Sequence, residues 1–292
     1  MEQRAQEIGE YYDMKADHYK KKYGFGAFTH IHSGIYDSSV SPLFDLSEAK
    51  IQKLGVEYIK YLLFQGQENT IRYLLNIFKN HNTKSLLDLG CGNGGTSLYL
   101  KLLSDMKITA LTISRSQEQE VKRVVNQIGL SRKIDVKEIN IFNYGGKDDL
   151  FGGILALESI SQIGNIRGLM KKLNNLLAPN GILVISDVFL KSQNDKLRRD
   201  FNYYWKSDLS CVGDLMDSVS EQRLNITQIL DFTEREIPFW KLSIAYSKSL
   251  LHVNTQEFSG MKKLQMSIKY ESILREALAK REIVYLIAVI EK

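Results

Sequence analysis

Ser85-Leu-Leu-Asp-Leu-Gly-Cys-Gly-Asn-Gly-Gly95 is the stretch that decides the fold. Leu86-Leu87 opens as a buried strand, Asp88 closes it, and glycines at 90, 92, 94 and 95 form a tight turn. Thr96-Ser-Leu-Tyr-Leu-Lys101 then has the composition of a helix start. Glycine lets a backbone take φ > 0 and approach a ligand where a Cβ would clash. Gly90, Gly92 and Gly95 also satisfy G-x-G-x-x-G, so a dinucleotide site has to be weighed. Asp88 at the strand's end would repel a pyrophosphate and suits a ligand that brings an ammonium. The next strand-like run, Lys107–Thr112, has no acid at its end to bind ribose hydroxyls. Thr112 and Gln117 offer neutral hydrogen bonds there instead, and Arg115 keeps a NADP reading open.

Outward from this turn, strand-like runs at 84–89, 107–113, 134–140, 151–158 and 181–187 alternate with helical segments. That alternation means βαβ units and an open α/β sheet, mostly parallel. Upstream lie a polar-aromatic segment, 1–45, and helices at about 47–65 and 67–80. Ala178-Pro-Asn-Gly181 reads as the turn ending the helix before the fifth strand. Residues 190–225 break the rhythm with Phe201, Tyr203, Tyr204 and Trp205. Beyond them, 228–237 and 282–290 read as late strands around a long helix, 238–280. The expected organisation is an N-terminal part, 1–80, and a ligand-binding domain, 81–292, with cap segments at about 190–225 and 238–280.

Composition excludes several classes. The chain has 292 residues, 43% apolar and 25% charged, ordinary for a soluble globular protein. No apolar run approaches the roughly 18 residues of a membrane span, and Met1–Glu7 lacks a secretory layout. Cys91 and Cys211 are the only cysteines and have no metal spacing, so a reducing cytoplasm is expected. The net charge of +5 is modest, with Lys171-Lys172 and Lys262-Lys263 reading as solvated helix faces. A small-molecule partner is expected and no nucleic acid; a homodimer is left open.

Asp88-x-Gly90-x-Gly92-x-Gly94 resembles motif I of the class I S-adenosylmethionine-dependent methyltransferases. Leu111-Thr-Ile-Ser-x-x-Gln117 resembles the second motif of their small-molecule branch, which holds tocopherol, sugar O- and geranyl diphosphate C-methyltransferases. The likeness extends from about Tyr11 to Lys292. It implies the Rossmann-like sheet of that family with its last strand antiparallel, an N-terminal helical lid, a cap insertion after the fifth strand, and S-adenosylmethionine as cofactor. It also implies cofactor contacts from Tyr12, Asp88, Gly90, Gly92, Thr112, Gln117, Asn140, Ile141 and Leu157. Asn140 stands where relatives usually carry Asp, and its carbonyl can accept the same adenine hydrogen bond.

Residues ending the strands face the ligand crevice of such a sheet. Glu158 therefore lies beside the expected sulfonium, and Ser186-Asp187 resembles a second active-site acid. Gln162 and Ser161 stand where relatives carry His. Alcohol O-methylation needs a base and His is the usual one, so the reading favours carbon, then nitrogen, then oxygen as acceptor. The acceptor carbon would be isoprenoid-like or part of an activated ring. His30-Ile-His32-Ser-Gly34-Ile-Tyr36 resembles the lid stretch of tocopherol and geranyl diphosphate methyltransferases. It makes His32 a catalytic candidate beside Glu158 and Asp187. His30, Tyr36, Tyr23, Gln162, Trp205, Phe239 and Trp240 are the candidate substrate pocket. No metal is expected unless a diphosphate substrate brings Mg²⁺. A NADP-dependent oxidoreductase is opposed by the lack of Tyr in 159–178; a cofactor-binding protein without catalysis stays open.

Overall fold

The computed structural model describes residues 2–37, 42–145, 150–253 and 258–292. In chain order, helix α1 (Glu2–Tyr23) leads to a small hairpin, β1 (Gly24–Phe25) and β2 (Phe28–Thr29). Helices α2 (Glu48–Gln52) and α3 (Val56–Asn80) follow. The sheet then unfolds as β3 (Ser85–Leu89), α4 (Gly95–Leu102), β4 (Lys107–Thr112), α5 (Arg115–Gln127), β5 (Ile134–Glu138) and β6 (Phe151–Leu157). Helices α6 (Ile160–Ile163) and α7 (Ile166–Leu176) lead to β7 (Leu177–Leu190). The cap helices α8 (Asp195–Trp205) and α9 (Val212–Glu221) precede β8 (Asn225–Asp231), α10 (Thr233–Val253), α11 (Phe258–Ala279) and β9 (Ile283–Glu291).

The seven-stranded sheet has the order β5-β4-β3-β6-β7-β9-β8, with β9 antiparallel to both its neighbours and the remaining pairs parallel. This is the expected class I methyltransferase sheet, mostly parallel with an antiparallel last strand. The apolar runs cover both faces, as helices on each side require. In β9, Ile283, Tyr285 and Ile287 join one core cluster while Val284, Leu286 and Ala288 join the other. Chain order reverses at β3, flanked by β4 and β6, so a crevice opens beyond the carboxyl ends of β3, β4 and β6.

Several boundaries differ from the sequence reading. The helices expected at 47–65 and 67–80 are instead the short α2 and the continuous α3. Gly66 sits mid-helix because a Cβ there would lie 2.4 Å from the Tyr36 hydroxyl. The strand expected at 228–237 ends at Asp231, whose carboxylate accepts from the Thr233 amide (2.9 Å) and starts α10 at once. Pro238 consequently lies inside α10 rather than at its start. The helix expected over 238–280 is two helices, and residues 254–257 of it lie outside the described residues. Strand β7 begins at Leu177, so Ala178–Gly181 forms an irregular strand start, with Asn180 at φ 60°, beside the register shift in β6.

Helix α1 crosses the crevice and is fastened by polar contacts. Asp13 accepts from the Ser114 and Ser116 hydroxyls (2.5 and 2.6 Å), and Tyr11 donates to the Tyr204 carbonyl (2.9 Å). Lys22 reaches Glu271 of α11 at 2.6 Å, both side chains almost wholly buried. The strap that follows, residues 30–36, is largely buried, and Gln67 of α3 donates to the carbonyls of His30 (3.0 Å) and His32 (2.7 Å). A Cβ on Gly34 would lie 2.4 Å from the backbone of Gly66, so strap and helix cross in contact. Among the described residues no helix is long and apolar enough to cross a membrane.

Breaking a buried ion pair by removing one partner strands the other charge, at a cost of about 3–5 kcal/mol. Lys22→Met should lower the free energy of urea unfolding by about that amount. The double variant Lys22→Met/Glu271→Leu should recover most of it.

Candidate active site

The glycine turn after β3 places Gly90 at φ 78° and Gly92 at φ 53°, both in the left-handed region. A Cβ on Gly90 would lie 2.7 Å from that of Ser159, so only glycine leaves the β3 and β6 loop ends this close. Asp88 is buried behind the turn and accepts from the Ser97 hydroxyl at 2.5 Å. It braces the turn against α4 rather than lining the cleft, and burial raises its carboxyl to about 6. Ser114 caps α5, and Thr112 donates to Gln117 at 2.6 Å, which orients both side chains toward the crevice.

A cleft at the carboxyl ends of the strands is walled by Tyr12, Gly90, Gly92, Thr112, Gln117 and Asn140, with Ile141, Leu157 and Glu158 completing it. Asn140 caps the short turn Ile141–Asn143 through its carbonyl oxygen, which accepts from the Phe142 amide (3.1 Å). Its amide is left for a ligand. The lining combines a glycine cradle, neutral hydrogen-bonding groups and an apolar slot, which fits an adenosyl group. Arg115 lies outside this cleft. The cleft's Arg4 directs its guanidinium to the carbonyls of Gln162 and Lys206.

A second chamber adjoins the cleft, and Tyr12, Ile31, Glu158 and Gln162 belong to both. Its walls bring together Tyr23, Trp205, Phe239 and Trp240 with His32, Asp187 and Gln162. The rings pack in series, Tyr23 stacked on Phe239 (6.2 Å), Phe239 edge-on to Trp240 (5.3 Å) and Trp205 edge-on to Trp240 (6.4 Å).

Glu158 ends β6 at φ 49°, a conformation a non-glycine residue holds only where its surroundings impose it. Its amide donates to the Ser186 carbonyl (2.8 Å). Its Oε1 accepts from the Ser33 amide (2.8 Å), the Ser33 hydroxyl (2.5 Å) and the Tyr285 hydroxyl (3.2 Å). Burial pushes its carboxyl up to about 7 despite those donors. Asp187, raised to about 6 by burial, accepts from the Ser161 amide (3.2 Å) and so holds the start of α6. The His32 Nδ1 donates to the Ser33 carbonyl (2.7 Å), which fixes the tautomer. Nε2 is left as a buried, unpartnered acceptor, and burial lowers the ring to about 4, so it is neutral at pH 7.

Two residues expected in the substrate pocket are not brought to it. His30 is packed among Phe28, Phe64 and Tyr99, over the start of α4. Tyr36 donates to the Leu62 carbonyl (2.8 Å) and faces an outer groove of α3. Three residues escaped the sequence reading: Ser33 and Tyr285, which hold Glu158, and Glu236, a buried acid on the chamber wall. Glu236 fell in a segment read as strand. The spacing Glu236-x-x-x-Trp240, one helical turn, was the signal available. Among the described residues no group of three His, Cys, Asp or Glu could hold a metal ion.

The mycolic acid cyclopropane synthetase family matches residues 57–250, more than half of the chain. Norajmaline N-methyltransferase of Rauvolfia serpentina is 21% identical, covering 83% of this chain and 82% of its own. Geranyl diphosphate C-methyltransferase of Streptomyces coelicolor A3(2) superposes with a TM-score of 0.78 at 16% identity, covering 99% of this chain and 97% of that one. A mycolic acid cyclopropane synthase superposes with a TM-score of 0.76 at 14% identity, covering 98% and 97%. The chain belongs to the mycolic acid cyclopropane synthetase family and is an S-adenosylmethionine-dependent methyltransferase.

Proposed function

We propose that the chain methylates a small, largely apolar acceptor whose reacting atom takes on positive charge, with an isoprenoid-like or activated-ring carbon favoured. The observation that carries this reading is the position of Glu158, a buried carboxyl on the wall shared by the cofactor cleft and the aromatic chamber. The bound cofactor supplies an electrophilic methyl on a sulfonium. Thr112, Gln117 and Asn140 would hold its polar ends, and Ile141 and Leu157 its adenine. Tyr12 and Gln162, facing both spaces, would align acceptor and methyl, the positioning from which such displacements gain most. Helix α1 would act as the lid that excludes water.

As the methyl moves, positive charge passes from sulfur to the acceptor, and Glu158 with the rings of Tyr23, Phe239 and Trp240 would stabilise it there. A methylated alkene must then lose a proton, which Glu158 or the free Nε2 of His32 can accept. No lysine or arginine lines the chamber among the described residues. That lining suits a cation, and a diphosphate with its Mg²⁺ is not part of this reading. A neutral amine is the second reading: its product is a stable ammonium that needs only alignment and no proton acceptor, so it would lean less on Glu158 than a carbocation does. Two free, buried cysteines support work in a reducing cytoplasm, with a small molecule rather than nucleic acid as partner.

Glu158→Gln keeps the shape and removes the charge. Turnover should fall by about 10²–10³ with cofactor affinity nearly unchanged; a loss below about tenfold would move the acceptor from carbon to nitrogen. Calorimetry on two glycine variants tests the cleft. Gly90→Ala adds a clash with Ser159 to its backbone strain and should abolish S-adenosylhomocysteine binding. Gly129→Ala, at φ 72° with nothing within 4 Å, should cost about 1–2 kcal/mol of stability and leave binding intact. Equal binding in both variants would remove the glycine turn from the cofactor site.

A further inference from the structure

Glu236 has no task in the mechanism above, yet it is 0% exposed on the first turns of α10 and faces the aromatic chamber. Its Oε1 accepts from the Trp240 indole N–H at 2.9 Å, and its Oε2 has no partner. A buried carboxyl oxygen without a donor is costly unless it carries a proton or meets a cation. Across the chamber, Glu158 has three donors on one oxygen. The Ser33 hydroxyl that serves Glu158 also faces Glu236. The two acids thus differ in support: Glu158 is the better anion, and Glu236 the better seat for a proton.

We propose that Glu158 and Glu236 form one unit holding a single proton in the free chamber, and that a cation bound among the aromatic rings displaces that proton to solvent. The chamber is then a receptor for small hydrophobic ammonium ions, chemically equivalent to the cationic reaction centre. This rests on the chamber being the acceptor site.

The chamber lining itself holds no cation. Asp187 of β7, His32 of the strap and Tyr12, Tyr19 and Tyr23 of α1 are the other titratable groups on it, and Tyr285 of β9 stands behind Glu158; none is a cation at neutral pH. Behind the lining, Lys22 lies 5.3 Å over the Tyr23 ring and is paired with Glu271 of α11, and Lys15 lies 6.0 Å over the Tyr19 ring; neither forms an ion pair with Glu158 or Glu236. Two buried carboxyls facing one chamber cannot both ionise, so one proton belongs to the pair. Burial and the neighbouring Glu158 hold that proton on Glu236 well above the usual carboxylate range. An ammonium ion beside the rings of Phe239 and Trp240 reverses the balance. The exchange is complete as written: the cation enters, Glu236 becomes carboxylate, and its proton goes to the buffer.

The test is calorimetry on the full chain loaded with S-adenosylhomocysteine. Benzyltrimethylammonium is the probe, in two buffers of different ionisation enthalpy. At pH 8, above the range near 7 where Glu158 itself titrates, about one proton should be released per cation bound, and affinity should rise about tenfold between pH 7.5 and 8.5, ~1.4 kcal/mol. Neopentylbenzene, the same shape with carbon for nitrogen, should bind at least about tenfold more weakly and release no proton. Glu236→Gln should bind the cation with no linked proton. Cation binding without proton release, equal affinity for the neutral isostere, or undiminished release from a folded Glu236→Gln protein would each overturn the proposal. If the variant does not fold, the wild-type proton count decides alone. Failure of S-adenosylhomocysteine itself to bind would instead overturn the cofactor site, and this inference with it.

Discussion

The carboxyl of Glu158 can stay in a water-poor interior only because two separate parts of the chain supply it with hydrogen bonds. Ser33 comes from the strap and Tyr285 from the antiparallel strand β9, while the Glu158 amide, donating to the Ser186 carbonyl, aims the side chain from the end of β6. An uncompensated buried charge costs several kcal/mol, so each of these segments has to be in place before the site exists. Tyr285 is fully buried and exchanges a hydrogen bond with Ser186 (2.9 Å), which ties β9 to β7 at the level of the site. The late strand that closes the sheet therefore also supports the chamber wall through Glu158.

This dependence separates two roles within the N-terminal segment. The strap cannot leave without dismantling the core, since Ile35 and Tyr36 are buried and Gly34 crosses Gly66 in backbone contact. Helix α1 is joined by a mixture of contacts: Gly9 packs against the Ile113 carbonyl, and Asp13 binds two serines, Arg4 two carbonyls and Lys22 Glu271. The polar contacts among these exchange with water at little net cost where they are exposed, as the lid role proposed for α1 would require. The buried Lys22–Glu271 pair is the exception and fixes the end of the helix to α11.

What was legible in the sequence follows from how local each signal is. The β3 turn is read from eleven consecutive residues, and backbone geometry alone demands its glycines. Cofactor-facing residues at strand ends are also local, because an open α/β sheet puts its ligand there whatever the rest of the chain does. The strap misled in detail: His30-x-His32 alternates as an extended chain should, yet His30 turns into the packing beside Tyr99 and only His32 meets the chamber. Gly66 falls in the gap between the helices expected at 47–65 and 67–80, because its use, giving room to Tyr36, is a contact 30 residues away in sequence. Glu236 was invisible for a related reason. Asp231 and Thr233 start α10 several residues earlier than Pro238 advertised, and that shift in phase turns Glu236 inward beside Trp240.

Methyl transfer from a sulfonium moves a positive charge by a few ångströms and creates none. An active site for it needs negative charge already placed where the charge arrives, not a reservoir for charge separation. An alcohol oxygen must also shed a proton as it is methylated, which calls for a base poised on the oxygen itself. Here the neutral His32 Nε2, lowered to about 4 by burial, is a feeble base for a hydroxyl. It is ample for the far stronger acid that a methylated alkene becomes. The acids tell the same story from the other side. Glu158, near 7, lies where modest changes in charge nearby decide its state, and burial and the neighbouring Glu158 favour the protonated form of Glu236. A chamber of aromatic rings, one supported carboxylate and one spare proton would match the proposed reaction, which ends with a cation on the acceptor.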